Sequence, residues 1–330
     1  MRKSRTLILF LFLILLTLFL FLLDLGVGSV GIPIKEVANT ILGKPTSELH
    51  RQIIWDIRFN KAITALLAGG ALSVSGLQMQ TLFRNPLAGP YVLGISSGAG
   101  LGVAIFILGI PLLGLSGNSF TLGLAGAAWL GAAVILVFLG LLSQRIKDIM
   151  VILILGMMFS SGVSAVVQIL QYLSRDEALK SYVIWTMGSL GEVTNNQIPI
   201  LVVAVLAGFF LAILSIKPLN QMILGEEYAV SMGMNIKFTR SILFVSTTLL
   251  AGTVTAFCGP IGFIGLAMPH VTRMFFDNSD NQILVPANIL SGAAILILCD
   301  IISKIWTLPI NAVTSLLGIP VIIFLVLKNR

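Results

Sequence analysis

Ten apolar runs, each near the length of a bilayer-crossing helix, punctuate this sequence. They fall at 7–23, 62–82, 91–114, 120–142, 149–170, 197–216, 240–258, 260–275, 283–303 and 309–327. A helix of about 20 apolar residues spans the hydrocarbon core of a membrane. The pattern predicts an all-α polytopic membrane protein of about ten transmembrane helices, organised as one domain over 1–330. The eighth run is short and rich in Gly and Pro, so a broken or tilted helix is expected there. Of the 330 residues 57% are hydrophobic and only 10% charged, against roughly 25% charged in a soluble domain. That balance excludes a soluble enzyme, a nucleic-acid binder and a disulfide scaffold. Cys258 and Cys299 both sit inside apolar runs and read as buried thiols, and two histidines far apart, His50 and His270, form no metal cluster. No metal site is expected.

The first run is preceded by Arg2, Lys3 and Arg5 and followed by Gly26-Val27-Gly28, which resembles a signal peptide. From Leu7 to Leu23, however, it exceeds the usual apolar core of about 7–15 residues, so a retained transmembrane helix is expected. With the N-terminus inside and ten crossings, the inner segments hold 12 of the 20 basic and 5 of the 13 acidic residues. Eight of each remain outside, so the whole formal excess of +7 lies inside. Cytoplasmic loops carry such an excess. Both termini are therefore expected in the cytoplasm, and the high pI reports topology.

Several chemistries have no signature here. No G-x-x-x-x-G-K-[ST] occurs, since Gly43-Lys44 runs into Pro45, so the chain has no P-loop of its own. Gly94-Ile95-Ser96-Ser97-Gly98 matches G-x-S-x-G, but it lies in a helical run without the strand-turn-helix context of a nucleophile elbow. Small residues for close helix packing are the better reading. Intramembrane acids are scarce, Asp300 near the outer end of the ninth run being the main one, which counts against an ion-coupled carrier.

Three polar or helix-breaking segments remain. The inner segment 217–240 contains Gly225, Glu226, Glu227, Ala229, Gly233 and Arg240. A short helix ending at Gly233 and turning sharply there makes a rigid cytoplasmic knob, or else a plain interfacial loop. The second segment, Arg84-Asn85-Pro86 followed by Gly94, Gly98, Gly100 and Gly102, breaks a helix and then offers close backbone packing or a smooth cavity wall. The third, Gly259-Pro260-Ile261-Gly262, then Pro269-His270 and Arg273, cannot face lipid as an unbroken helix. His270 and Arg273 there suit a helix C-terminus.

The blocks VSGLQMQTLFRNPLAGPYVLGISSGAGLG, LGEEYAVSMGMNIKFTR, GPIGFIGLAMPHVTR and LPINAVTSLLGIPVIIFLVLK resemble, in order and over nearly the whole chain, the FecCD-type permeases. These are the transmembrane subunits of type II ABC importers for iron-siderophores, haem and cobalamin. The resemblance implies a dimer of permeases, expected as a homodimer, in the bacterial inner membrane, with the pathway at its interface. Two cytoplasmic ATPase subunits would bind ATP and Mg, with no cofactor or enzymatic site in this chain, and an extracytoplasmic binding protein would deliver the ligand. It implies ATPase coupling at Gly225 to Arg240. It also implies binding-protein docking at Arg58, Lys61 and Lys304, although Ile57-Arg58-Phe59-Asn60-Lys61 departs from the family's I-R-L-P-R. Thr307 and Asn311 likewise stand where the family commonly has an acid and a glycine. A gate is implied at Asp148, Ile149 and Met150, with Met157, Met158, Ser160 and Ser161 as pathway wall. The expected cargo is a ferric siderophore, with cobalamin or haem as alternatives. A secondary transporter is the alternative class, and an intramembrane serine hydrolase a third.

Overall fold

A computed structural model describes residues 2–110, 120–146 and 148–328. Apolar runs give the longest helices. These are α1 (Arg2–Gly26), α3 (Glu48–Leu82), α5 (Phe120–Arg145), α6 (Ile149–Leu173), α11 (Ile236–Cys258) and α13 (Asn281–Trp306). Of these, α3 extends its run toward the N-terminus through the polar stretch from Glu48 to Lys61. Shorter elements are α2 (Ile34–Ile41), α4 (Ile95–Gly109), α7 (Asp176–Thr186), α8 (Ile198–Leu214), α9 (Ile216–Ile223), α10 (Glu226–Ser231), α12 (Ile264–Phe276) and α14 (Ile310–Lys328).

Among the described residues six helices are long and apolar enough to cross a membrane, or seven when α8 and α9, bent by 50°, count as one span. The expected ten is therefore not reached by length. The third run ends at 110 within the described residues, and its positions 111–114 lie outside them. Its helix starts only at Ile95, because Pro86 and Pro90 break the chain before it and Gly94 takes φ 78°. The eighth run yields a helix of 13 residues, about 20 Å at 1.5 Å per residue, too short for the ~30 Å core. The break at Gly259 to Phe263 accounts for the loss. The polar segments 24–61 and 171–196, expected to lie outside, hold α2 and α7, which hydropathy alone does not reveal.

At the centre stands α3, nearly every residue of which from Asn60 to Leu82 is buried. It packs against α13, α12, α8 and α11. Small residues permit this. A Cβ added at Gly69 would lie 2.2 Å from the Gly292 carbonyl oxygen on α13, and one at Gly76 would lie 1.6 Å from that of Gly265 on α12. The run after Gly94 does the same between α4 and α5, where Gly98 meets Gly131 and Gly102 meets Ala127 backbone to backbone. The expected close packing in G-x-S-x-G is thus what this stretch does.

Buried polar side chains along α3 find partners across the bundle, as groups away from water generally do. Gln78 donates to the Ser246 hydroxyl at 2.9 Å and accepts from Thr247 at 3.2 Å. Ser73 donates to Asn288 at 2.7 Å. These bonds fasten α3 to α11 and α13 at the level of their packing contacts.

Candidate functional site

On the side expected to face the cytoplasm, α8 ends at Leu214 and the chain bends at Ser215 into α9 and then α10. Gly225, at φ 116°, sets the angle between them. The turn after α10 is a Schellman motif: Met234 N donates to Ala229 O at 3.0 Å and Gly233 N to Val230 O at 2.8 Å, with Gly233 at φ 83°. Asn235 then caps α11 by accepting from Phe238 N at 3.1 Å. Ala229 is fully buried, while Tyr228 (68% exposed) and Phe238 (64%) project outward. Val230 and Met232 are exposed beside them.

Two anchors make this knob rigid. Buried Arg240 donates to Glu226 at 2.7 Å and to the Ile146 carbonyl at 3.3 Å. Asn220 on α9 donates to Asp280 at 2.7 Å and accepts from Asn281 N at 2.8 Å, tying the knob to α13. Glu226 and Arg240 therefore hold the knob, whereas Glu227 and its apolar neighbours are presented by it. The sequence reading missed Tyr228 and Phe238 as surface residues; two aromatics in an inner polar segment were the available signal.

The second and third segments clamp each other just behind the knob. His270 bonds the Pro86 carbonyl at 2.6 Å, and Arg273 donates to Gln80 at 2.8 Å. Gln80 in turn donates to the Leu266 carbonyl at 3.0 Å. Arg273 sits in the last turn of α12, where a cation suits the helix dipole, and both His270 and Arg273 also reach across to α3 and the turn that follows it. Asn85 forms a local turn by accepting from Leu87 N at 2.9 Å. Arg84, at φ 47°, extends its guanidinium toward Gly225, where an added Cβ would lie 3.8 Å from it. The Gly259–Phe263 break is held from α14: Asn311 accepts from Gly262 N at 3.0 Å. Asn311, which departs from the family pattern, supplies a cap that glycine cannot.

The gate candidates divide. Asp148 caps α6 by accepting from Met150 N at 2.8 Å. Met150, Met157, Met158 and Ser161 lie on the open face of α6. Ile149 is buried at 8% exposure, and Ser160 donates to its own helix at Gly156 and packs against Gly94. The last two face into the chain, because helix geometry turns positions one apart by about 100°.

At the opposite end, the one expected to face outward, the three expected docking cations are engaged within the chain. Arg58 is 3% exposed and donates to the carbonyls of Leu25, Gly26 and Val30, thereby capping α1. Lys304 contacts Asp24 at 2.8 Å and Asp300 at 2.9 Å. Lys61 contacts the other oxygen of Asp300 at 3.0 Å. Both aspartates are fully buried. Two acids and two bases form a neutral cluster joining α1, α3 and α13 beside a cavity of about 330 Å³ that Ser189 and Thr307 also line. Outward-reaching cations were what the family resemblance implied; burial and the unforeseen Asp24 turn them inward. The i,i+4 spacing of Asp300 and Lys304 was the one local signal of the cluster.

Comparisons with known proteins agree with this architecture. The FecCD transport family profile matches residues 15–328. The vitamin B12 import system permease protein BtuC of Klebsiella pneumoniae is 36% identical over 293 residues, covering 87% of this chain and 86% of the relative. The hemin transport system permease protein HmuU of Yersinia pestis is 33% identical over 313 residues, covering 92% and 90%. Among solved structures, a transporter described as of the metal-chelate ABC type, in an inward-facing conformation, aligns with a TM-score of 0.84 and 30% identity over 97% of this chain and 99% of that one. PsaBC from Streptococcus pneumoniae, at 19% identity and a TM-score of 0.55, shares the fold alone. The helical bundle, its apolar spans and this match over nearly the whole length agree: the chain belongs to the FecCD transport family, the multi-pass membrane permease subunits of ABC importers of the metal-chelate, cobalamin and haem kind.

Proposed function

We propose that this chain is the membrane half of an ATP-driven importer that carries a large metal chelate, a ferric siderophore, into the cytoplasm. The observation that carries the reading is the rigid knob from Gly225 to Arg240, which presents exposed Tyr228, Met232 and Phe238 beyond the bundle. Exposed apolar side chains on a fixed, polar-rimmed platform suit a protein partner. That partner is an ATPase subunit, one on each of two identical permease copies, and it binds the ATP and Mg; this chain carries no catalytic site or cofactor. The bacterial inner membrane, with both termini cytoplasmic, fits the inner charge excess. The full length acts as one permease domain with segment 217–240 as its coupling element. Ten crossings follow if α4, α12 and α14 complete spans as tilted or broken helices, together with the bent α8–α9 pair.

In this reading ATP binding moves the knobs, and the two permease bodies rock about their interface. The open face of α6, with Met150, Met157 and Ser161, lines the pathway there, and Asp148 fixes its inner end. Soft and small side chains suit passage of a large ligand over tight binding. An extracytoplasmic binding protein docks outside; Arg58, Lys61 and Lys304 shape that surface from beneath, and Lys61, the least buried, touches it. Relatives named for vitamin B12 and hemin are similar at 36% and 33%, and this makes cobalamin and haem the second reading.

Uptake of labelled ferric siderophore, cobalamin and hemin in a deletion strain tests both readings. Restoring the gene should rescue the ferric siderophore alone; rescue of only cobalamin or only hemin replaces the cargo. In the same strain Gly233→Trp should lose at least tenfold in uptake with unchanged membrane insertion. Nothing lies within 4 Å of a Cβ there, so the effect is backbone strain of about 1–2 kcal/mol at the turn, confined to the knob. Normal uptake by this variant would remove the coupling assignment.

A further inference from the structure

Away from these sites, the periphery of the bundle carries a groove. α1 packs along α13, and its outer side is open, with Leu7, Leu11 and Leu18 all more than half exposed. Between α1, α12 and α13 lies a recess of about 370 Å³ walled by residues such as Leu13, Leu16, Met268, Phe275, Ala294 and Leu298. Its two hydroxyls, Thr272 and Ser291, bond to each other at 2.7 Å, so the wall is apolar in effect. Along α1 it runs from Phe12 to Leu20, about 12 Å at 1.5 Å per residue. One leaflet's hydrocarbon is about 15 Å deep.

The groove continues into a second recess of about 310 Å³ that shares Phe276 and is lined by Arg5, Thr6, Asp277 and Asn278. Phe10 packs against Phe276 at the junction, 5.0 Å between ring centroids with the rings inclined by 57°. Arg5 is exposed, and none of the ion pairs among the described residues involves it. Arg5 and Asp277 are the two charged residues lining this recess, and the sequence before the first apolar run holds three bases, Arg2, Lys3 and Arg5, and no acid. An occupant at hydrocarbon depth against this wall must be apolar. If it reaches a cation at the interface it must end in an anion. A phospholipid combines the two.

We propose that this groove holds one anionic phospholipid of the leaflet that Arg5 faces, an acyl chain against α1 and α12 and the phosphate beside Arg5. The inference depends on the membrane placement of the chain and is independent of ATP coupling or cargo. Native mass spectrometry of the intact importer complex in mild detergent, supplied with phosphatidylglycerol or phosphatidylcholine of the same chains, tests it. Phosphatidylglycerol should be retained preferentially, and Arg5→Gln should weaken its retention about fivefold, the effect of one interfacial cation, and that of phosphatidylcholine, whose ammonium offsets its phosphate, by clearly less. Ala294→Phe, which fills the groove, should lower retention of both lipids. If that variant fails to fold, Arg5→Gln, at an exposed position, still decides. Equal retention of the two lipids, or an unchanged Arg5→Gln variant, would overturn the proposal. So would a disulfide between two copies of a Leu16→Cys variant, which would put protein in the groove.

Discussion

Gly76→Ala should yield little folded protein, the largest loss expected from adding one methyl group to this chain. The added Cβ would sit 1.6 Å from the Gly265 carbonyl oxygen, and a backbone atom on α12 has no rotamer by which to escape. The helices must part, and α3 is the element on which most others pack. Between helices in lipid, close packing replaces the hydrophobic effect as the main attraction, so separation forfeits many contacts at once. Destabilisation beyond about 4 kcal/mol is the expected range for such overpacking with loss of neighbouring contacts. Thermal unfolding in detergent, followed by size-exclusion monodispersity, reads this. Gly126→Ala on α5 is the control, because nothing lies within 4 Å of its Cβ; it should be neutral or slightly stabilising. A Gly76→Ala variant that melts with the wild type would show that α3 and α12 are not in backbone contact.

Asp300→Leu should cost about 3–5 kcal/mol, the range for removing one partner of a buried ion pair. Asp300 holds Lys61 with one oxygen and Lys304 with the other. Without it Lys61 loses its ionic contact, and Lys304 keeps Asp24 at 2.8 Å. The second substitution that should restore stability is therefore Lys61→Met, which leaves the neutral Asp24–Lys304 pair intact. Lys304→Met added to Asp300→Leu should be worse, since it removes the ion-pair partner of buried Asp24 and leaves Lys61 unpaired. The order of melting temperatures, Asp300→Leu/Lys61→Met above Asp300→Leu above Asp300→Leu/Lys304→Met, tests the assigned contacts. If Lys304→Met rescues better than Lys61→Met, the pairing is wrong.

The long helices were legible in the sequence for a simple reason. Where apolar residues run without interruption, as in 7–23, 149–170 and 283–303, only a helix satisfies the backbone in lipid, and α1, α6 and α13 contain those runs. The knob was legible from Gly225 and Gly233, whose positive φ angles end one helix and start the next. The eighth and third runs were read too long, because Gly, Pro and the residues beside them are apolar by hydropathy yet leave the helix. Phe263, at φ 66°, has no sequence signature for that conformation. The outer cations were read as facing outward because Asp24 is 280 positions from Lys304, a separation no local pattern bridges. The sequence likewise did not divide α6 into an open face and a packed one, since both faces are apolar; Gly94 and Ser160 meeting across α4 and α6 decides it.

In the proposed function, ATP hydrolysis by a docked partner drives this permease. The most direct measurement is uptake of labelled ferric siderophore into proteoliposomes holding the permease with its ATPase partner, in the presence of the binding protein. Uptake should require hydrolysable ATP on the side of the knob, persist with a protonophore, and vanish with a non-hydrolysable analogue. Uptake driven by a proton gradient without ATP would contradict the account and identify a secondary transporter.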